Sequence, residues 1–410
     1  MKPVTRMITA GLLAVSLAGC GTAAAEAPAE EVRTETYIIE TSASDSSEST
    51  STTENSLFTD RDLNQSADLT DAVYFTVADD EDIAITEEGV YVLSGMAENV
   101  TISVDVEDNE KVQLVLDGLS ITNDSSPVIY VINADKVFVT TTDSENTFSV
   151  TGSFSKTGND NTDAVIYSKD DLVLNGVGTL NINSTDNGIT SKDDLKVTGG
   201  TYNITASSKA FEANDSILIY DGTFHLTSGS DGLHAENNDD ATLGLIVIEN
   251  GTFDIQANDD AIHASATITI NGGTFNLNAG EGIESTYIEI NDGELTISAG
   301  DDGINAGRKS NAYDVAIVIN GGDISITMAS GDTDAIDSNG DLTINGGTIN
   351  ITAQSAFDYD GTGTYNGGTL IVNGETVTQL TNQMMGGMGQ GARGQGGTPQ
   401  GGFQGPGFRG

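Results

Sequence analysis

Ile268-Thr269-Ile270-Asn271-Gly272-Gly273-Thr274-Phe275-Asn276-Leu277 decides the fold. Apolar and polar residues alternate on both sides of the Asn-Gly-Gly, which is the period of a β-strand. Asn and Gly tolerate left-handed backbone, so the two runs meet at a tight bend. Ahead of them stands a third short run, Ala261-Ile262-His263-Ala264, of the form Gly/Ala–apolar–x–Ala/Ser. It recurs loosely, with Val165 where the first unit should have Gly or Ala, and its apolar residue falls at Ile166, Ile189, Phe211, Leu233, Ile262, Ile283, Ile304, Ile336 and Phe357. Most spacings are 21 to 23 residues, and two are 29 and 32. A strand-period unit repeating at fixed length is a stacked coil. The expectation is an all-β, right-handed parallel β-helix with three strands in each coil of about 22 residues. The hand follows from the rule for connections between parallel strands.

Stacking turns each repeat position into a column. Tyr202, Phe224, Phe253 and Phe275 share one inward position and predict an aromatic stack, continued by Leu295, Ile324, Ile349 and Leu370. Asn271, Asn291, Asn320 and Asn345 share the bend and predict an asparagine ladder. Upstream, Val90–Leu93, Val100–Val104, Val112–Leu116 and Val137–Thr140 are further strands with less regular spacing. They read as atypical first coils with a capping role.

The ends have a different composition. Lys2 and Arg6 precede an apolar run that closes on Leu17-Ala18-Gly19-Cys20, a lipoprotein signal whose Cys20 is the acyl acceptor and the one cysteine of the chain. Residues 1–19 read as the signal peptide, 20–68 as a disordered tether rich in Ala, Glu, Ser and Thr, 69–378 as the β-helix, and 379–410 as a disordered Gly-rich tail. The expected location is the outer face of a bacterial membrane, held by the lipid alone. Fifteen Lys+Arg against 62 Asp+Glu give a net charge of -47, which excludes nucleic acid as a partner.

Where the acid lies matters more than its sum. The two long spacings are insertions at one place, Glu236–Gly244 and Gly307–Asp314, each just after the Gly/Ala–apolar–x–Ala/Ser run. Insertions on one face of a solenoid mark a binding face. Two residues before the apolar position stand Asp231, Asp260, Glu281, Asp302 and Asp334, on five successive coils. One residue after it stand Glu212, His234, His263, Glu284, Asn305, Asp337 and Asp358, read as outward-facing ligand-binding groups. Coils stack about 4.8 Å apart, where two unit charges repel by about 0.9 kcal/mol in water and about 3.5 kcal/mol at an effective dielectric of 20. Such a column shifts its pKa values upward or gathers cations. Calcium, a hard ion that takes oxygen ligands, is the expected one, held by the five acids two residues before the apolar position. Lys209 replaces an acid in that column and is read as a salt bridge to Asp231 or as a base beside the metal. Arg308 and Lys309, on the second insertion, are placed to meet a ligand carboxylate. There is no G-x-S-x-G elbow to suggest a serine nucleophile.

Gly89-Val90-Tyr91-Val92-Leu93-Ser94-Gly95, Lys111-Val112-Gln113-Leu114-Val115-Leu116-Asp117-Gly118 and Ser168-Lys169-Asp170-Asp171-Leu172, repeated as Ser191-Lys192-Asp193-Asp194-Leu195, give the chain a family likeness. It resembles the bacterial secreted carbohydrate-binding domain-containing proteins over about residues 73–373. The resemblance implies a right-handed parallel β-helix similar to calcium-dependent lyases acting on pectate, and a function in binding acidic polysaccharide with calcium. It also implies, for a lyase, a basic residue beside calcium; Lys209 and Arg308 are the candidates. Three functions therefore stand as expectations: a monomeric, lipid-anchored module binding uronate-containing polysaccharide through calcium, a pectate-type polysaccharide lyase, and a structural surface protein or adhesin.

Overall fold

The computed structural model describes residues 57–156, 160–331 and 333–382. Cys20, the leader, the tether as far as residue 56 and the tail from residue 383 lie outside the described residues. Strands run from Val73–Thr76 to Glu375–Val377, and no helix occurs among the described residues. Each coil contributes three strands, as in Asp260–Ala264, Thr267–Ile270 and Thr274–Ala279. The first strands of the coils stack into a twelve-stranded sheet, the site sheet; the second and third join in one 24-stranded sheet, whose two faces we call the flank sheet and the ladder sheet. Every strand pairs in parallel with the strand one coil away, apart from the closing antiparallel pair Thr369–Val372 with Glu375–Val377. The chain is a parallel β-helix.

The apolar column runs in register from Ile166 through Ile189, Phe211, Leu233, Ile262, Ile283, Ile304 and Ile336 to Phe357. It also extends upstream to Ile129, Ile102 and Ile83. The early strands are therefore coils of the same helix, as read from the sequence. Their period escaped the pattern because Gly89–Glu98 and Lys111–Asn123 each run unbroken through what are two strands in later coils.

The stacks form as expected. Phe224, Phe253 and Phe275 lie face to face at 4.6 and 4.5 Å, and Tyr202 stacks on Phe224 at 5.5 Å. Each Asn of the ladder donates its side-chain N–H to the side-chain oxygen of the preceding one at 2.7–2.8 Å, and the ladder continues to Asn366. Gly273, at φ 107°, makes the bend possible. Where the repeat unit has Gly, the cause is steric. A Cβ on Gly303 would stand 2.4 Å from the carbonyl oxygen of Ala335 and 2.6 Å from an Ile326 methyl.

One boundary needs correction. Residues 57–68, assigned to the tether, are ordered against the flank sheet: Phe58 is buried and Asp62 is fully buried. The cause is local chemistry. Phe58 packs on Leu218 and Val247, and Gln65 hydrogen-bonds to Gly176 and Thr198. The tail boundary shifts as well, since Leu380 packs on the core and Asn382 donates to the Tyr359 carbonyl.

Candidate functional site

The site sheet carries both predicted columns. Its twelve strands run from Ile83–Ile85 to Ser355–Tyr359. Tyr130, Tyr167, Thr190, Glu212, His234, His263, Glu284, Asn305, Asp337 and Asp358 form one continuous row. The acids two residues before the apolar position lie beside it, with Asp260 opposite Glu281 and Asp302 opposite Asp334. Within the row His234 and Glu284 are buried and the other charged members are half-buried.

The two insertions touch. Ser310 donates its hydroxyl to the Ala241 carbonyl, and the Tyr313 hydroxyl donates to the Thr242 carbonyl at 3.1 Å. They leave coils that have two others between them, so together they wall one side of the row. Thr286, on one of the coils between, accepts the backbone N–H groups of Lys309 and Ser310 at 2.9 and 2.7 Å. This fixes Lys309 so that its ammonium reaches Glu284 at 2.6 Å. Lys309 is thus paired within the protein rather than free for a ligand. Arg308 beside it is exposed. Lys209 does not meet Asp231. Its ammonium lies 2.8 Å from Glu212, three residues on along the strand, and Lys192 approaches the same carboxylate at 3.5 Å.

These pairings divide the row by charge. At its first end Glu212 lies between two lysines, which hold its pKa down against burial. The two histidines stack at 4.7 Å, and each bonds through Nδ1 to the Asp three residues earlier at 2.7 Å: His234 to Asp231, His263 to Asp260. His263 Nδ1 also lies 3.0 Å from Glu284. Burial opposes the imidazolium, but the Asp260 and Glu284 carboxylates outweigh it and raise His263 to about 9. Lys309, Glu284, His263 and Asp260 therefore alternate in charge and neutralise one another. With parallel rings, the outer nitrogens of the two histidines point the same way and do not converge on one ion, so the pair is a poor zinc chelate.

The second end is uncompensated. Burial first, then the neighbouring acids, push Asp302 to about 6 and Asp337 to about 7. Burial and the Glu284, Asp260 and Asp302 charges take Glu281 to about 8, against a hydrogen bond from Asn305 at 2.9 Å. Asn305 Oδ1 and Asp334 Oδ1 are buried without a hydrogen-bond partner. Buried acceptors without a donor are uncommon and suit a cation. Two groups are more compact: Asp260, His263 and Glu284, and Asp231, Asp259 and Asp260, each with ligand atoms within 4.8 Å of one another. The first already holds its own cations. The second includes Asp259, which has no place in either predicted column and comes close only through the bend before the strand.

Sequence reading missed Lys192, Asp259 and the contact between the loops. The Lys192 signal was present, since Lys192 directly follows the site-sheet strand Asn187–Ser191 of the coil preceding Glu212.

The sequence profile of the carbohydrate-binding domain-containing protein family matches residues 79–287 and 280–384, together more than half of the chain. A carbohydrate-binding domain-containing protein of Acetivibrio thermocellus is 35% identical over 125 residues, which are 30% of this chain and 44% of that protein. This chain thus spans less than half the length of that relative. Among solved structures, the polysaccharide lyase-like protein from C. thermocellum, a gadolinium derivative, is 23% identical with a TM-score of 0.44, covering 71% of this chain and 98% of that one. By the extent of the profile match, the chain belongs to the carbohydrate-binding domain-containing protein family.

Proposed function

We propose that this protein is a lipid-anchored surface module that binds acidic, uronate-containing polysaccharide through calcium. The observation that carries the reading is the uncompensated end of the row. Among the described residues no ion pair engages Asp302, Asp334 or Asp337, and Asn305 Oδ1 and Asp334 Oδ1 are buried acceptors without donors. Carboxylate and amide oxygens are the donor set calcium takes, and it keeps room for ligand oxygens. These residues would hold the ion, with Glu281 and Asp358 next in line. Their carboxylates are spread wider than the two compact groups, so binding draws them inward. A bound ion turns a face that repels polyanions into one that accepts them. The inserted-loop wall, with Arg308 exposed on it, borders the path of such a chain.

Of the two candidate bases for β-elimination, Lys209 is engaged, and the exposed Arg308 is left to the assay below. An eliminating base must reach the sugar's acidic C–H free of other partners. The Lys209 ammonium is held by Glu212.

The test is retention on polygalacturonate with calcium and with chelator. Calcium-dependent retention that Asp334→Asn abolishes is the expected result. Equal retention in calcium and chelator removes calcium bridging. Ultraviolet absorbance of unsaturated product, followed from neutral to alkaline pH, is expected to stay flat; a rise would make the protein a lyase.

A further inference from the structure

Residues 57–66 lie along the flank sheet, away from the row just described, and their contacts are specific. Phe58 sits on Leu218 and Val247, and its ring meets Tyr220 edge-on at 5.5 Å. The Arg61 guanidinium lies over the Phe138 ring at 4.5 Å. Asp62 is fully buried between Lys136 at 3.6 Å and Lys196 at 4.0 Å, and its second oxygen accepts the Thr59 N–H at 2.9 Å. Gln65 accepts the Gly176 N–H at 2.8 Å and donates to the Thr198 carbonyl at 3.0 Å. Asn175 donates to the Asn64 carbonyl at 3.1 Å, and Lys196 to that of Leu57 at 2.8 Å.

The partners lie on or directly after flank strands Lys136–Thr141, Asp171–Gly176, Asp194–Val197, Ser216–Ile219 and Leu245–Ile248, five successive coils. The flank is built to receive them. Phe138, Val173, Leu218 and Val247 face outward at positions where alternation calls for polar residues, and all four are buried. Further along, the same column carries Thr269, Glu289, Val318 and Thr343, so three of the next four residues are polar.

A solenoid coil ordinarily touches only its neighbours, so its coils open one after another. Residues 57–66 break that rule. We propose that they are a clip that ties these five coils into one opening unit and passes any pull on the preceding chain into the flank. The clip begins at Leu57, which packs with Val247 and accepts from Lys196. A pull from that side loads the clip in shear across five strands. Without the clip it would peel Val73–Thr76, the first strand, from Gly89–Glu98.

Native-state hydrogen exchange on the full chain tests the clip, comparing wild type with Gln65→Ala and Phe58→Ala. These variants leave Asp62 and its lysines in place and keep the fold. The amides of the five flank strands are expected to speed up together, by about tenfold, while Ala316–Ile319 and Asp341–Ile344 stay as they were. In single-molecule pulling from the two chain ends, the variants should yield at lower force than wild type. Faster exchange confined to residues 57–66, or an unchanged yield force, would overturn the proposal.

Discussion

Single residues in the row act through charge, and the sign of their effect depends on calcium. Asp302→Asn with Asp334→Asn removes two like charges on adjacent coils, opposed in register. Without calcium this variant should melt higher than wild type, since repulsion between facing like charges falls. With calcium it should melt lower, since ligands are lost and native-state binding stabilises by mass action, about 2.7 kcal/mol at a hundredfold excess over Kd. Melting curves in calcium and in chelator read the sign change. Equal stabilisation in both would make the column a solvated acidic ridge. Asp260→Asn should weaken calorimetric calcium binding less than Asp334→Asn, because His263 already serves Asp260. The reverse order would move the ion to the Asp231, Asp259 and Asp260 group.

At the scale of the element, each column is a chain of equivalent contacts, so a break is felt on both sides. Phe253 stacks between Phe224 and Phe275 and is about 1% exposed. Phe253→Ala should cost about 3–5 kcal/mol in chemical unfolding, the range for a buried Phe truncated to Ala. Asn320→Ala breaks the ladder twice, once as donor to Asn291 and once as acceptor from Asn345. Each neutral hydrogen bond is worth about 0.5–1.5 kcal/mol net, so a smaller loss than for Phe253 is expected. A larger loss for Asn320 would mean that the bend, not the stack, holds the coils in register.

For the whole molecule, pH acts on the acids of the row. Burial and mutual repulsion raise Asp302, Asp337 and Glu281 to about 6, 7 and 8, above ordinary carboxylate values. A group whose folded pKa is raised contributes stability that is complete below its unfolded pKa and is lost as pH rises through the folded one. Without calcium, the melting temperature should therefore fall between about pH 5 and pH 8. Calcium should restore most at pH 8 and little at pH 5, where it must displace protons. A flat profile in chelator would mean that these acids are solvated and ionised throughout. His263 has the same sign in its own window: its stabilisation, through Asp260 and Glu284, is lost as pH rises from the ordinary histidine range through about 9.

The β-helix, its three strands per coil, the aromatic stack, the asparagine ladder and the two acidic columns were all legible in the sequence. Each depends on a period, and in a stack with fixed spacing a residue's position in the unit fixes its neighbours. Contacts that do not repeat were decided only by the tertiary structure. Lys209 was assigned by its column to Asp231 or the metal but turned to Glu212, and Lys309, read as meeting a ligand carboxylate, reached Glu284 because Thr286 holds its backbone. The insertions from coils at Leu233 and Ile304 met each other, and residues 57–66 found the flank. These pairings join positions whose separation is unrelated to the period, so no column predicts them. They depend on where loops of particular length and shape come to rest. The backbone columns place the acids, and the non-periodic cations then choose which of those acids stay uncompensated.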